Sequence, residues 1–381
     1  MIRRIQLNSI IKDIDPGGLL EYSVVFTDRS LNHMSKKFQT TMNDISSGLK
    51  KVYNADSVIV IPGGGTFGME AIARQFASKK KCLVVRNGWF SFRWSEIITR
   101  CKITNDVTVI KAQRSSDNYQ ATFSPPKIDD VVKEIKDLKP DVVFAPHVET
   151  SAGMLLPDDY LRKISQAVHS VGGIFVLDCV ASGALWVDMK HNGIDVLLSA
   201  PQKGWSSTPS SGLVMLSKEA KNILNNTESD SYVCNLKKWN DVMNSYENGA
   251  HSYHSTMPTD SLVSFRDTLL ETERHGFEKI KNDQIYLGKG IRNLLEKKGF
   301  KSVASQGFQS TSVVVSYTDN PEIKSGKAFI EQGIQIAAGI PLECDEGKDF
   351  LSFRIGLFGL DKLLNPKRTI DKLDKALTNL T

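Results

Sequence analysis

The sequence lacks the features that mark membrane-spanning and exported proteins. No stretch approaches the roughly 18 consecutive apolar residues that a transmembrane helix needs. The N-terminus starts with basic residues but has no long apolar region and no small-residue cleavage site, which disfavours secretion. Internal repeats and low-complexity tracts are also missing. We therefore expect a soluble globular protein without a membrane partner.

Cysteine is scarce and follows no pattern. The five cysteines are odd in number, and none forms a Cys-x-x-Cys pair. This usage favours neither a disulfide framework nor a zinc or iron–sulfur site, and it is typical of a reducing compartment. We therefore expect a cytoplasmic protein with no bound metal. The five residues are Cys82, Cys101, Cys179, Cys234 and Cys344.

A strong excess of one charge is missing as well. Lys and Arg total 48 and Asp and Glu total 43, which leaves a net charge of only +5. Proteins that bind nucleic acids or anionic membranes carry a larger and more clustered positive charge, so we expect neither partner. The 381 residues, 40% of them hydrophobic, suffice for a large core and about two or three domains.

What the sequence does contain is an alternation of short apolar strands with helices. Runs of Val, Ile and Leu without polar alternation indicate strands covered on both faces, and strand–helix alternation indicates a mostly parallel sheet. We therefore predict a three-layer α/β/α domain, with helices at 34–52, 69–76, 131–138 and 160–171. The predicted strands are Ser57–Pro62, Cys82–Gly88, Val107–Ile110, Asp141–Ala145, Ile174–Asp178, Asp195–Ser199 and Leu213–Leu216.

The pattern changes near Leu262. Fewer strands and longer polar helices predict a smaller α+β domain at 261–381, packed on a large domain at 31–260. The stretch Asn225–His254, rich in Asn, Ser and Tyr, is predicted to be a loop. The elements predicted after Leu262 are a helix at Asp267–Lys298, a strand at Ser310–Tyr317, a helix at Lys324–Gln332, a strand at Leu351–Gly356 and a helix from Lys367.

A glycine-rich turn, GGGTFGMEA, separates the first strand from its helix. Backbone N–H groups at a helix N-terminus form an anion site, and glycines let a phosphate approach closely. Gly63, Gly65 and Gly68 also satisfy G-x-G-x-x-G, although Arg86 stands where an acidic residue would bind a ribose, so only NADP would fit. The turn alone leaves three interpretations open: a purely structural turn, a dinucleotide site and a monophosphate site.

Asp178 closes one predicted strand, and Lys203 lies 25 residues later in a turn after another. Both should emerge at the carboxyl edge of the sheet, where open α/β sheets bind ligands. A lysine amine can bond an aldehyde cofactor, and an aspartate can keep a pyridine nitrogen protonated. A surface lysine with a capping aspartate is the alternative. The small uncharged neighbours of Lys203, in SAPQKGWS, weaken that alternative.

Two further motifs carry candidate binding groups. Thr150 and Ser151, in HVETSAG, offer hydroxyl groups at the same sheet edge, or else cap the next helix. Arg354 is the one charge in the apolar strand of FRIGLFG. A guanidinium there needs an anion, which is either a substrate carboxylate or an internal Asp or Glu.

Taken together, the motifs resemble those of class V aminotransferases of PLP fold type I, and most of all the alanine–glyoxylate and serine–pyruvate branch. The resemblance runs from about Asp56 to the C-terminus and implies a homodimer with pyridoxal 5′-phosphate at the subunit interface. The motifs, in chain order, are IPGGGTFGMEA, VRNGWFSFRW, HVETSAGMLLP, VLDCVASGALWVDM, LLSAPQKGW, YHSTMP and FRIGLFG.

The resemblance also implies a role for each matching residue. Lys203 bonds the cofactor and moves the substrate proton, Asp178 holds the pyridine nitrogen, and Arg354 binds the substrate carboxylate. Phe90 stacks on the ring, with Trp89 as its rival. The other cofactor-binding residues that it implies are Gly64, Gly65, Thr66, Thr150, Val180 and Gln202 in the same chain and Tyr253 and Thr256 toward the phosphate of the neighbouring subunit.

In the family that the motifs resemble, a Gly-Pro-rich segment near the N-terminus lines the substrate pocket. We assign residues 1–30 to this segment. The stretch Asp28–His33 stands where the Gly-Pro-rich motif is expected, which suggests a substrate with an extra polar or charged group. We expect ping-pong transfer between small amino acids, such as alanine or serine, and oxo acids, such as glyoxylate or pyruvate. The alternatives are a PLP-dependent lyase or desulfurase using Cys344, an NADP-linked oxidoreductase, and a non-catalytic protein of the same fold.

Overall fold

The computed structural model describes residues 14–380. Its strands are β1 Ser57–Pro62, β2 Cys82–Arg86, β3 Val107–Lys111, β4 Gln113–Arg114, β5 Phe123–Ser124, β6 Val142–Pro146, β7 Val148–Glu149, β8 Met154–Leu155, β9 Ile174–Asp178, β10 Val196–Ser199, β11 Ser211–Leu216, β12 Val313–Tyr317, β13 Ala337–Ala338 and β14 Ser352–Gly356. Its helices are α1 Lys36–Tyr53, α2 Gly65–Phe76, α3 Trp89–Arg100, α4 Ile128–Leu138, α5 Asp158–Ser170, α6 Met189–Asn192, α7 Lys218–Asn225, α8 Leu236–Glu247, α9 Thr259–His275, α10 Phe277–Lys297, α11 Pro321–Ser325, α12 Lys327–Glu331, α13 Leu360–Leu363 and α14 Pro366–Thr378.

A seven-stranded sheet in the order β1-β11-β10-β9-β6-β2-β3 forms the centre of the molecule. The run from β10 to β3 is parallel, and β11 pairs antiparallel with both β10 and β1. Every residue of β6, β9, β10 and β11 is buried, as expected for strands covered by helices on both faces. The predicted α/β fold with a mostly parallel sheet is confirmed.

The apolar spacing correctly predicted helix α1 and its buried face. Phe38, Met42, Ile45 and Leu49 are all fully buried on one face. The helix begins two residues later than predicted because the Ser35 hydroxyl accepts a hydrogen bond from the Phe38 N–H and caps it.

Three secondary-structure predictions were wrong. The long helix predicted at Asp267–Lys298 is two helices, because Gly276 adopts φ 89° between α9 and α10. Gly326, at φ 84°, likewise divides the helix predicted at Lys324–Gln332. The predicted loop Asn225–His254 contains α8, whose polar composition masked a buried face. The buried apolar residues of that face are Leu236, Trp239, Val242, Met243 and Tyr246.

The smaller sheet, β12-β14-β13, is antiparallel and places Arg354 of β14 opposite Val315 of β12. This confirms both strands predicted after Leu262. Helix α9 lies against α1, where a Cβ on Gly48 would stand 2.4 Å from Leu269. The domain limits at 30 and 260 remain predictions, and residues 1–13 lie outside the described chain. Among residues 14–380, no helix combines the length and apolarity needed to cross a bilayer.

Candidate active site

The site forms where β9 and β10 end side by side. Asp178 is the last residue of β9, and its register partner on β10 is Leu198. Lys203 follows β10 in the next turn, which packs on the turn after β9. A Cβ on Gly204 would stand only 2.2 Å from the Gly183 carbonyl oxygen, so the two backbones touch there. The predicted meeting of Asp178 and Lys203 at one sheet edge is thus observed.

Both residues line one cavity of about 110 Å³. The other predicted residues that line it come from α2, α3 and the turns after β7, β9 and β10: Gly65, Thr66, Phe90, Thr150, Val180 and Gln202. Met69, Arg93, Pro146, Val148 and Ala181 complete the wall. Gly64 immediately precedes the first residue of α2. A Cβ on Gly65 would stand 3.0 Å from Val180 Cγ2, so the helix start lies close against the turn that follows Asp178.

Burial sets the charge properties of the central pair. It raises the pKa of Asp178 to about 6, although the Val180 N–H, 2.9 Å from Oδ1, and the Lys203 charge oppose the shift. Burial also lowers the pKa of Lys203, and the nearby Arg354 and Arg93 charges lower it further, while Asp178 acts in the opposite direction. The Lys203 amine is therefore more easily deprotonated than that of an exposed lysine. The ionised Asp178 carboxylate is unfavourable in this buried position unless a cationic partner stabilises it.

Phe90 presents its ring to these charges. Lys203 Nζ lies 5.6 Å from the ring centroid, and the guanidinium carbons of Arg93 and Arg354 lie 4.6 and 5.8 Å from it. Trp89 instead packs on Phe92, with ring centroids 5.6 Å apart, and does not line the cavity. Of the two rivals for stacking on a bound ring, the geometry supports Phe90.

Arg354 reaches the site from the small sheet. Its Nε donates to the Ala338 carbonyl oxygen at 2.8 Å, and burial lowers its pKa. Among the side chains of residues 14–380, no carboxylate lies within ion-pair distance of its guanidinium. The internal acidic partner considered as an alternative is therefore not found, and the guanidinium is available to an external anion.

Glu149, which was not predicted from the sequence, organises one wall of the site. Its carboxylate is completely buried and accepts hydrogen bonds from the backbone N–H groups of Phe90 and Ser91 at the start of α3. It also accepts from the hydroxyl groups of Ser91 and Ser151, both at 2.7 Å. The Ser151 hydroxyl is thus directed to Glu149, whereas Thr150 lines the cavity. An acidic residue opposite a helix N-terminus is favourable, but the sequence alone did not reveal which helix would face it.

Arg93 and Phe358 are two further residues of the site that were not predicted from the sequence. Arg93 lines the cavity three residues after Phe90, one helical turn along α3. Phe358, from the FRIGLFG motif, has its ring centroid 5.5 Å from Lys203 Nζ. The charge of Arg93 within the otherwise apolar and aromatic start of α3 was the signal that could have identified it.

Tyr253 and Thr256 lie elsewhere in the chain. Their hydroxyl groups are 2.9 Å apart, and neither residue lines the cavity that contains Lys203. The Tyr253 ring packs instead on His33, with centroids 5.4 Å apart, beside the segment Asp28–His33. None of residues 14–33 lines the cavity of its own chain. A role for Tyr253 and Thr256 in the site therefore requires a second subunit.

The topology overturns the dinucleotide interpretation of the glycine motif. A dinucleotide fold places the strand before the glycine turn beside the strand after its helix. Here four strands separate β1 from β2. Arg86 is also engaged within the fold, since it donates to the Ser95 hydroxyl at 3.1 Å and stacks on Phe92.

Cys344 is the candidate reactive thiol of the desulfurase alternative, because its surroundings in the sequence are polar and loop-like. The structure shows it buried, with its pKa raised to about 12 by burial and by the charges of Glu149 and Glu346. A thiol in this setting is not a nucleophile near neutral pH. The desulfurase alternative thus has no support from this residue.

Comparison with known proteins places the chain in a family. The Aminotransferase class-V family profile matches residues 19–344, and the chain belongs to that family. It is 25% identical to the alanine–glyoxylate aminotransferase of Rattus norvegicus, over 92% of this chain and 82% of the relative. It is 26% identical to the 2-aminoethylphosphonate–pyruvate transaminase of Vibrio vulnificus, over 84% of this chain and 83% of the relative. The solved alanine–glyoxylate aminotransferase of a Nostoc species shares the fold, with a TM-score of 0.76, 21% identity, and 92% and 89% of the two chains covered.

The protein is therefore an aminotransferase whose family uses pyridoxal phosphate, and the cavity fits that cofactor. Asp178 is a buried acid that lacks a bonded cation, Lys203 is an amine with a lowered pKa, and Phe90 offers an aromatic face. Thr66 and Gly65 open α2, whose N-terminal N–H groups suit a phosphate. These residues thus supply partners for the ring nitrogen, the aldehyde, the ring face and the phosphate of the cofactor.

Proposed function

We propose that this aminotransferase exchanges amino groups between small amino acids of the alanine or serine type and oxo acids of the glyoxylate or pyruvate type, by a ping-pong mechanism. The observation that carries the proposal is that Asp178, Lys203 and Phe90 line one cavity. The Lys203 amine and the Arg354 guanidinium, which comes from outside the cavity lining, lie 5.6 and 5.8 Å from the Phe90 ring centroid. The names of its relatives support transfer from a small amine to a small oxo acid, with alanine–glyoxylate and aminoethylphosphonate–pyruvate pairs among them.

When bound, the cofactor supplies an electron sink for the pair of electrons left on the substrate carbon as its proton departs. Asp178 holds a proton at the ring nitrogen, which its buried carboxylate can do because it has a strong need for a cationic partner. The Lys203 amine accepts the α-proton and returns it at the end of the transfer, as a general base whose pKa is lowered by burial.

The remaining residues bind and orient the reactants. Arg354 binds the substrate carboxylate with its free guanidinium edge. Phe90 and Val180, which line the same cavity, hold a flat ring by packing. Thr150 and Gln202 offer polar groups around that ring. Because one set of residues serves both half-reactions, the first product must leave before the second substrate enters.

We further propose that the protein is a homodimer whose sites need residues from both subunits. Three large apolar side chains of the N-terminal segment, Leu19, Tyr22 and Val24, are 90% or more exposed, which is costly unless another surface covers them. Tyr253 and Thr256 lie outside the cavity of their own chain. A second subunit that covers the N-terminal segment would account for both features.

Mixing two inactive variants tests the shared site. Lys203→Ala in one subunit and Thr256→Ala in the other leave each mixed dimer with one intact site. After subunit exchange, about a quarter of all sites should therefore recover activity. Sedimentation of the wild-type protein as a monomer, or a mixture no more active than its components, would contradict the proposal.

We propose a cytoplasmic location because all five cysteines of the chain are free thiols in the structure. Cell fractionation followed by thiol labelling tests this proposal. We expect the protein in the soluble fraction with every thiol reduced, whereas recovery from an exported fraction would refute it.

Borohydride trapping and a substrate panel test the proposed reaction. The wild-type protein should be yellow, and borohydride should bleach it and leave the cofactor attached to the peptide that contains Lys203. The Lys203→Ala variant should show no covalent label. Sustained turnover should need both an amino acid and a second oxo acid, while turnover without an oxo acid would indicate a lyase instead. A colourless protein that binds NADP would refute both the transaminase and the lyase.

A further inference from the structure

Arg93 is a cation in the candidate active site for which the proposed function has no use. It projects from α3 into the cavity that Asp178 and Lys203 line. Its guanidinium carbon lies 4.6 Å from the Phe90 ring centroid, which fixes its direction. Within residues 14–380, no hydrogen bond or ion pair engages that guanidinium.

The nearby acids cannot supply the missing partner. The Glu149 oxygens already accept hydrogen bonds from Phe90, Ser91 and Ser151. Asp178 accepts the Val180 N–H, and the charges of Lys203 and Arg93 both lower its pKa. It forms no ion pair or hydrogen bond with Arg93, and its proposed role is to hold the cofactor nitrogen. Both carboxylates are therefore engaged by other groups.

Arg93 and Arg354 lie against the same aromatic ring. Both stack against Phe90, at 4.6 and 5.8 Å from its centroid, and the charge of Arg93 lowers the pKa of Arg354. Two like charges that share one partly buried site repel each other and lose hydration, which is costly unless anions compensate them. One substrate carboxylate compensates a single guanidinium and leaves the other without a partner.

We infer that Arg93 is a second anion-binding residue of this site, and that at least one substrate carries an anionic group in addition to its α-carboxylate. This inference rests on the proposed transaminase function and narrows its substrate class to a dicarboxylate or an acid that bears a phosphonate or phosphate. The partner substrate can still be a monocarboxylate, because the two half-reactions use the site in turn. Arg93 would then select substrates, and Arg354 would hold the group that they all share.

Ligand pairs that differ by one charged group test the inference by binding alone. Succinate and butyrate have the same number of carbons but two carboxylates and one, and 3-phosphonopropionate replaces one carboxylate with a phosphonate. We expect the purified protein with its bound cofactor to prefer succinate or 3-phosphonopropionate to butyrate by about tenfold or more in calorimetry. The better of the two dianions identifies the second group.

The variants then assign that preference to a residue. Arg93→Gln should reduce the ratio of affinities to about twofold or less, and Arg93→Lys should keep part of it. Arg100→Gln is the matched control, because Arg100 lies at the far end of the same helix and pairs with Glu96 on the surface. That variant should keep the full ratio. Because each ratio is measured within one variant, a general loss of affinity cancels.

Two results would overturn the inference. Equal affinity of the wild-type protein for succinate, 3-phosphonopropionate and butyrate would show that the site selects no second anion. A ratio that survives Arg93→Gln, together with weaker cofactor binding, would show that Arg93 serves the cofactor instead. Failure of the proposed function is distinguishable, because it would leave a preference that depends on Arg93 in a protein that transfers no amino group.

Discussion

The amine of Lys203 lies 5.6 Å from the centroid of the Phe90 ring, although the two residues belong to different turns of the chain. Lys203 follows β10, and Phe90 lies in the first turn of α3. Glu149 holds that turn by accepting the Phe90 N–H, so the aromatic face is fixed relative to the sheet edge. A reactive amine next to a fixed aromatic face is the arrangement that a flat, covalently held cofactor requires.

Replacing Asp178 by Asn should slow the reaction without removing the cofactor. The amide has the same shape but cannot balance a proton on the ring nitrogen, so the electron sink is weakened. We expect the rate of α-proton removal to fall by about 100-fold or more, measured as loss of deuterium from an α-deuterated amino acid. A rate near that of the wild-type protein would contradict the electron-sink role.

The same substitution should stabilise the protein when the cofactor is removed. Burial raises the pKa of Asp178 from 3.8 to about 6, so the folded chain binds this proton more tightly than the unfolded chain. The ionised Asp178 carboxylate therefore destabilises the folded protein fully above pH 6, and this effect vanishes as the pH falls below about 4. At pH 7, Asp178→Asn should raise the free energy of unfolding by about 3 kcal/mol. Urea titrations of both proteins at pH 7 and pH 4 check this, and a difference independent of pH would contradict it.

Much of the fold, and the meeting of Asp178 with Lys203, could be predicted from the sequence because both depend on local patterns. Continuous apolar runs identified the buried strands; Asp178 ends one of those strands, and Lys203 lies in the turn after the next. Glu149 and Arg93 could not be found in the same way. Their roles depend on the direction in which α3 leaves the sheet, and contacts between distant segments, such as Glu149 with Ser91, decide that direction.

The helix boundaries were missed for a different reason. The polar pattern continues across Gly276 without interruption, and the break appears only through its backbone conformation, with φ 89°. Helix α8 was missed because its sequence contains many polar residues, including Lys238 and Asp241 on its exposed face, which concealed the burial of Trp239 and Tyr246. In both cases packing against other elements decided the outcome rather than the local composition.

Replacing Arg354 by Ala should mainly weaken the binding of carboxylate substrates. No internal acid pairs with this guanidinium among the described residues, so its loss leaves no buried carboxylate without a partner. We expect KM to rise by about 10- to 100-fold for the amino acid and the oxo acid alike, with a smaller change in kcat. Steady-state kinetics with both substrates varied check this. An unchanged KM would refute the carboxylate role.

Replacing Gly204 by Ala should separate the two turns that carry the central pair. The new Cβ would stand 2.2 Å from the Gly183 carbonyl oxygen, and a backbone atom cannot rotate away as a side chain can. We expect a loss of about 1 to 3 kcal/mol in the free energy of unfolding, and weaker cofactor binding as Lys203 moves away from Asp178. Urea unfolding and cofactor titration measure the two effects. Gly17→Ala is the control, because a Cβ at Gly17 meets no atom within 4 Å, and it should change neither quantity. If Gly204→Ala were as stable and bound the cofactor as tightly as the wild-type protein, the contact between the turns would not be what holds Lys203 in place.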